Sequence, residues 1–158
     1  GKQVMYFSIG GHPAFDCSLN PEEFRSDYWL EFDQQETLFT HRLDGGLFLG
    51  KKEAVELDGQ RLHITDHLFD KDALVFKQLN STRVSLSSLS QKWLTFHFEG
   101  FPYLGIWSKS QESPFVCIEP WYGLADYVDH SGELSAKEGI RKLEASAIFN
   151  CHYTMEIH

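Results

Sequence analysis

No basic run interrupts the acidic cast of this 158-residue chain, in which 14 Lys and Arg stand against 23 Asp and Glu for a formal net charge of −9. Even Lys51-Lys52 is followed at once by Glu53. Without a basic patch to meet phosphate charge, no nucleic-acid partner is expected. The acidic balance also favours an uncharged ligand over a phosphorylated one. Long apolar runs are missing too: nothing approaches the roughly 18 residues of a membrane span, so no membrane partner is expected. The opening Gly1-Lys2-Gln3-Val4 lacks a basic stretch followed by an apolar core, so no secretory signal is read and a cytoplasmic location is expected. Cysteine is scarce. Cys17, Cys117 and Cys151 are odd in number and form no CxxC pair, which argues against a disulfide framework or zinc ribbon and for buried thiols in a reducing compartment. No metal site is expected: His63 and His67 have helical spacing in a stretch that reads as a strand, where side chains four apart do not converge.

Helix signals are almost as rare. Asn20-Pro21-Glu22-Glu23 and Ser135-Ala136-Lys137-Glu138 carry cap chemistry, but no apolar stripe at helical spacing follows either, so each predicts a turn or two at most. Strand signals fill the rest. Short stretches rich in aromatic and β-branched residues run over 4–9, 28–32, 37–42, 47–51, 61–64, 73–79, 83–86, 93–98, 103–107, 115–118 and 148–157. Asp44-Gly45-Gly46 and Asp58-Gly59 supply hairpin-type turns between them. Many short strands at regular spacing predict an all-β, antiparallel sandwich or barrel, and 42% apolar residues are enough to fill the core of one domain spanning residues 1–158.

Two segments carry chemistry. In Ser8-Ile9-Gly10-Gly11-His12-Pro13-Ala14-Phe15, two glycines and a proline bracket a histidine just after an apolar strand. Such a turn presents His12 and lets a ligand approach the backbone. In the second, Phe115-Val116-Cys117-Ile118-Glu119-Pro120-Trp121-Tyr122-Gly123, an apolar strand ends in a carboxylate followed by two aromatics that suit the C–H face of a sugar. A carboxylate among Ile118, Pro120 and Trp121 is costly to desolvate without a purpose. The plainer readings are a loop histidine without a chemical role, a strand-capping Glu119 and a core Trp121. Cys117 as a nucleophile is disfavoured because alternation sets it inside the strand.

Both segments resemble those of the aldose 1-epimerase (galactose mutarotase-like) family, in particular its bacterial branch associated with lactose utilisation. The resemblance runs through Gly11-His12-Pro13-Ala14-Phe15, Asp72-Ala73-Leu74-Val75-Phe76, Pro102-Tyr103-Leu104-Gly105-Ile106-Trp107-Ser108, Phe115–Asp126 and Lys137-Glu138-Gly139-Ile140. It implies a large antiparallel β-sandwich, the galactose mutarotase-like supersandwich, that binds a monosaccharide on a concave sheet. It further implies His12 as the general acid toward the ring oxygen, Glu119 as the general base toward the anomeric hydroxyl, and Asp72 as a ligand for substrate hydroxyls, with Trp121 and Tyr122 stacking. Anomer exchange by ring opening and reclosure needs one acid and one base and no cofactor. The sequence departs from the better-known mutarotases in having Gly11 before and Pro13 after the histidine. Nothing matches the family's amino-terminal part, where an Arg and a further His bind the sugar, and Arg25 lies after the His12 motif. The chain therefore reads as the carboxy-terminal portion of such a sandwich, with open edges that predict self-association or pairing with an amino-terminal portion. Two competing readings are a non-catalytic carbohydrate-binding protein of the same fold and a glycosidase using Asp72 with Glu119.

Overall fold

Alternating apolar and polar residues fold into fourteen short strands, and the computed structural model describes all of residues 1–158. In chain order these are β1 (Met5–Phe7), β2 (Ile9–Gly10), β3 (Ala14–Asp16), β4 (Trp29–Phe32), β5 (Phe39–Asp44), β6 (Leu47–Ala54) and β7 (Arg61–His63). They continue with β8 (Leu74–Lys77), β9 (Arg83–Ser87), β10 (Lys92–His97), β11 (Tyr103–Trp107), β12 (Phe115–Tyr122), β13 (Arg141–Leu143) and β14 (Thr154–Ile157). One sheet has the order β14-β10-β9-β4-β7 and the other β2-β12-β11-β8, with β3 also paired to β12. β1 with β13 and β5 with β6 make two separate ribbons. Every strand pair is antiparallel.

The two large sheets face each other across one apolar core. Leu30, Phe32, Val84, Leu86, Leu94 and Phe96 enter it from the first sheet, and Leu74, Phe76, Leu104, Ile106, Val116 and Ile118 from the second. Each such side chain stabilises the fold by roughly 1.5–3 kcal/mol relative to exposure. Because side chains alternate, the second sheet turns a different set outward, including Val75, Gly105 and Glu119, which lie side by side on β8, β11 and β12. The β5–β6 ribbon and the segment after β12 pack over part of that outward face, where Phe48, Val75 and Leu124 form a second, smaller core. Backbone bonds from Phe48 to Asp126 and from Val128 to Phe48 (2.8 and 3.0 Å) fasten the two coverings together.

The structure redraws several expected elements. β12 runs through Glu119 to Tyr122 instead of stopping at Ile118, so Glu119 is a mid-strand residue. β3 and β13 carry too few apolar residues to announce themselves, and residues 148–153 lead into β14 without joining it. The two helix-cap signals yield only single 3-10 turns nearby, at Arg25–Asp27 and Leu134–Ala136. In the second, Glu133 and not Ser135 is the cap, accepting from the Ser135 amide. No helix is long and apolar enough to cross a membrane.

One side of the sandwich is open. Met155 and Ile157 of β14 pair with Phe96 and Leu94 and so point to the core face. Their partners are 0% and 5% exposed, whereas they are 46% and 75% exposed. On the opposite sheet, Ile9 of the edge strand β2 pairs with Tyr122 and is also 46% exposed. A cavity of about 310 Å³ lined by Ile9, Phe101 and Tyr153 lies between these edges. Unpaired edges flanked by exposed core-facing residues promote association. The apparent mass of residues 1–158, followed by light scattering, is expected to rise toward that of a dimer with concentration. Replacing Met155 and Ile157 together by Lys is expected to hold it at the monomer value; a wild-type monomer at every concentration would contradict this.

Candidate active site

The position of His12 follows from register. β2 pairs Gly10 with Trp121, and β3 pairs Ala14 with Cys117. Continued across the intervening Gly11-His12-Pro13, the same register sets His12 directly opposite Glu119. Two backbone bonds remain in that stretch, Gly11 N–H to the Pro120 carbonyl (3.1 Å) and Ile118 N–H to the Pro13 carbonyl (3.2 Å). The return bonds of both flanking pairs are missing because Pro120 and Pro13 have no N–H. The ladder is thereby half dismantled without losing its register. It also makes His12 and Glu119 a non-hydrogen-bonded pair, the type in which facing side chains come closest. Their atoms meet accordingly: His12 Nε2 lies 3.3 Å from Glu119 Oε1.

The two partners differ in exposure. The His12 side chain is 62% exposed and that of Glu119 only 6%. Burial raises the Glu119 carboxyl above its ordinary value, while the facing His12 and the Trp121 indole as a hydrogen-bond donor pull the other way without cancelling it. A carboxylate held up in this manner is a stronger base than one in water. Trp107 on β11 stands edge-on to the His12 ring, with centroids 5.9 Å apart and planes at 88°. Trp121, next but one after Glu119, shares its face. Its indole occupies space left by two glycines, since a Cβ on Gly105 would come within 2.5 Å of it and a Cβ on Gly10 within 2.6 Å. His12, Glu119 and Trp121 line a cavity of about 410 Å³, walled on its other side by Gly123, Leu124 and Ala125. That volume falls in the range of small-molecule sites.

Of the other two expected ligands, Asp72 lies away from the cavity and Tyr122 lines it. Asp72 is exposed in the turn entering β8, with φ 86° and its Oδ1 accepting from the Ala73 amide at 2.7 Å. Two strand spacings and a register offset separate it from Glu119, roughly 10 Å or more, and it is not among the residues lining the cavity. The glycosidase reading, which needs Asp72 beside Glu119, has no geometric support. Tyr122 contributes to the cavity wall, but its ring is already engaged. Its hydroxyl donates to the Gly100 carbonyl at 2.6 Å, and the ring meets Phe101, Phe149 and the Arg141 guanidinium.

The structure adds residues that sequence reasoning passed over. Lys77, Tyr103 and Trp121 form one row across β8, β11 and β12. Lys77 Nζ lies 2.8 Å from both Glu138 carboxylate oxygens and 3.0 Å from the Tyr127 hydroxyl. Burial would lower the Lys77 ammonium, but these partners outweigh it and hold it above its ordinary value. The Lys77–Glu138 pair pins the 123–139 segment over the sheet and so shapes the cavity wall, while Lys137 to Asp126 at 3.1 Å ties that segment to itself. The signal was present in Leu74-Val75-Phe76-Lys77, where alternation puts the lysine on the Val75 face.

No family model matches the chain. Two curated proteins of Lactococcus lactis subsp. lactis do: chromosomal LacX, 35% identical, and plasmid LacX, 34% identical, each over 146 residues covering 90% of this chain and 49% of theirs. A solved galactose mutarotase-related enzyme from Lactobacillus acidophilus superposes with a TM-score of 0.90 at 28% identity, covering 99% of this chain and 53% of that one. The chain is a relative of LacX with the galactose mutarotase-like fold. A galactose mutarotase-like protein from Lactobacillus casei has a TM-score of 0.78 at 26% identity, covering 98% of this chain and 52% of that one. The chain thus spans about half the length of the relatives it matches.

Burying Glu119 has a consequence for stability. Its folded-state value is raised, so the fold holds the proton more tightly than the unfolded chain does. Stability therefore falls as pH rises from the ordinary carboxylate value through the raised one, and stays lower above it. Glu119→Gln removes the ionisation and is expected to raise Tm near neutral pH by the few degrees that about 1 kcal/mol yields in a domain of this size. Calorimetry across pH should show this gain shrink as the pH drops through the carboxylate range. A variant less stable than the parent at neutral pH would contradict the reading.

Proposed function

We propose that this chain carries the acid–base centre of an aldose 1-epimerase that interconverts the α and β anomers of an aldohexose. The observation that supports it most is the 3.3 Å approach of His12 Nε2 to Glu119 Oε1 at a cavity wall shared with Trp121. The ring oxygen and the anomeric hydroxyl of an aldose are bonded to the same carbon. An acid and a base that each stand one hydrogen bond from its own oxygen are no more than roughly 8 Å apart, and these two lie well inside that limit. A binding-only module has no need of such a pair.

Glu119 takes the anomeric hydroxyl proton while protonated His12 gives one to the ring oxygen. The C1–O5 bond breaks, leaving an aldehyde, a neutral Glu119 carboxyl and a neutral His12. Rotation about C1–C2 exposes the other carbonyl face. His12 then removes the proton from the C5 hydroxyl, whose oxygen attacks C1, and Glu119 returns its proton to the carbonyl oxygen. Protons and electrons balance within the pair, and no redox step occurs. Trp121 supplies the apolar surface for the sugar's C–H face. The chain spans about half the length of the relatives it matches, so residues 1–158 alone are expected to be weakly active. Free cysteines at 17, 117 and 151 suit a reducing cytoplasm.

Polarimetry of freshly dissolved α-glucose and α-galactose tests this. Glu119→Gln and His12→Gln are each expected to lower kcat by about 10²–10⁴-fold, and the double variant to be little worse than either, because the two act in one proton transfer. A near-normal kcat for either single variant would overturn its assignment. The acid limb of the pH profile should be set by Glu119 and lie above the ordinary carboxylate range. An acid limb at the ordinary carboxylate value would show that Glu119 is not the base.

A further inference from the structure

We infer that His12, Cys117 and Glu119 form a binding site for a borderline-soft divalent cation of the Zn²⁺ class, which competes with sugar for the acid–base pair. Alternation along β12 brings the Cys117 side chain onto the Glu119 face, and register brings His12 opposite. The ring nitrogen, the thiol sulfur and the carboxylate oxygen all lie within 4.8 Å of one another. A tetrahedral Zn²⁺ with bonds of about 2.0–2.3 Å needs ligand atoms about 3.5 Å apart. His12 and Glu119 already meet that spacing, at 3.3 Å. Cys117 and Glu119 are buried on a paired strand, while the His12 side chain is exposed and free to change rotamer.

The donor set selects the ion. One nitrogen, one sulfur and one carboxylate suit Zn²⁺ or Co²⁺, whereas Mg²⁺ and Ca²⁺ want oxygen only. Three protein ligands leave the fourth position open toward the cavity, for water. A thiolate and a carboxylate neutralise the dication, and the ion relieves the buried charge of Glu119. The Cys117 thiol is pushed up to about 11, by burial first and the neighbouring Glu119 second. While bound, the ion occupies the Nε2 and carboxylate lone pairs that anomer exchange uses. Only this inhibitory consequence rests on the proposed function; binding itself does not.

Titrating residues 1–158 with Co²⁺ is expected to give one bound ion, a near-ultraviolet thiolate-to-cobalt charge-transfer band and visible bands of tetrahedral intensity, all displaced by Zn²⁺ and untouched by Mg²⁺ or Ca²⁺. Cys117→Ser should abolish the charge-transfer band and weaken binding tenfold or more, while Cys17→Ser, which alters a buried thiol outside the cluster, should keep it. Far-ultraviolet circular dichroism confirms that each variant is folded. Absence of the band, or its survival in Cys117→Ser, would overturn the site. Zn²⁺ should also inhibit mutarotation by the parent in competition with sugar, with its half-inhibitory concentration raised at least tenfold in Cys117→Ser relative to that variant's own zinc-free rate. If the band forms and no mutarotation is found with or without zinc, the site stands and the proposed function fails.

Discussion

Everything at the site depends on one antiparallel register, that of β12 with the interrupted strand β2–β3. Backbone pairing at Gly10–Trp121 and Ala14–Cys117 leaves His12 no position but the one opposite Glu119. A slip of one residue would turn every side chain of that strand to the other face and place the imidazole in the core. Pro13 and Pro120 each remove one ladder bond at this point, and the loss is confined to the pairs flanking the site. The backbone is therefore held from both sides while the pair itself sits in its loosest, closest-packed stretch.

The second dependence is on space. A tryptophan beside the carboxylate requires that neighbouring strands give up their side chains, and Gly10 and Gly105 do so. A Cβ at either position would force the indole out of its slot and move a wall of the cavity. The 123–139 segment supplies the opposite wall, and its position depends on the Lys77–Glu138 ion pair and on its backbone bonds to Phe48. Core and site are thus two faces of the same sheet: Ile118 and Leu104 fill the interior while, one residue along, Glu119 meets the cavity and Gly105 makes room for the Trp121 indole.

Burial of Glu119 joins stability to function. The same desolvation that makes the carboxylate a better base makes it a poorer neighbour for the fold, and Cys117 beneath it adds no compensating charge. Such a group persists where chemistry needs it. The open β2 and β14 edges pose a related strain, since Ile9, Met155 and Ile157 are core-facing residues with nothing packed against them. The Lactobacillus acidophilus protein, about twice as long, shares this architecture at a TM-score of 0.90.

By itself the sequence determined the all-β class, most strand positions and the identity of the acid–base candidates. Those signals are local: β-branched and aromatic alternation, turn glycines, and a histidine and a glutamate in unusual surroundings. Glu119 looked like a strand end because Pro120 follows it, yet a proline whose missing N–H faces an already broken ladder does not stop a strand. Asp72 and Tyr122 were chosen by motif; the fold places Asp72 in the turn entering β8, while Tyr122 lines the cavity and also packs with Phe101 and Phe149. Only the folded sheets could show that His12 lies opposite Glu119, that Cys117 joins them, and that Lys77 braces the cavity wall. Each of those relations couples residues far apart in the chain through strand register, and register is settled by long-range packing that no local pattern encodes.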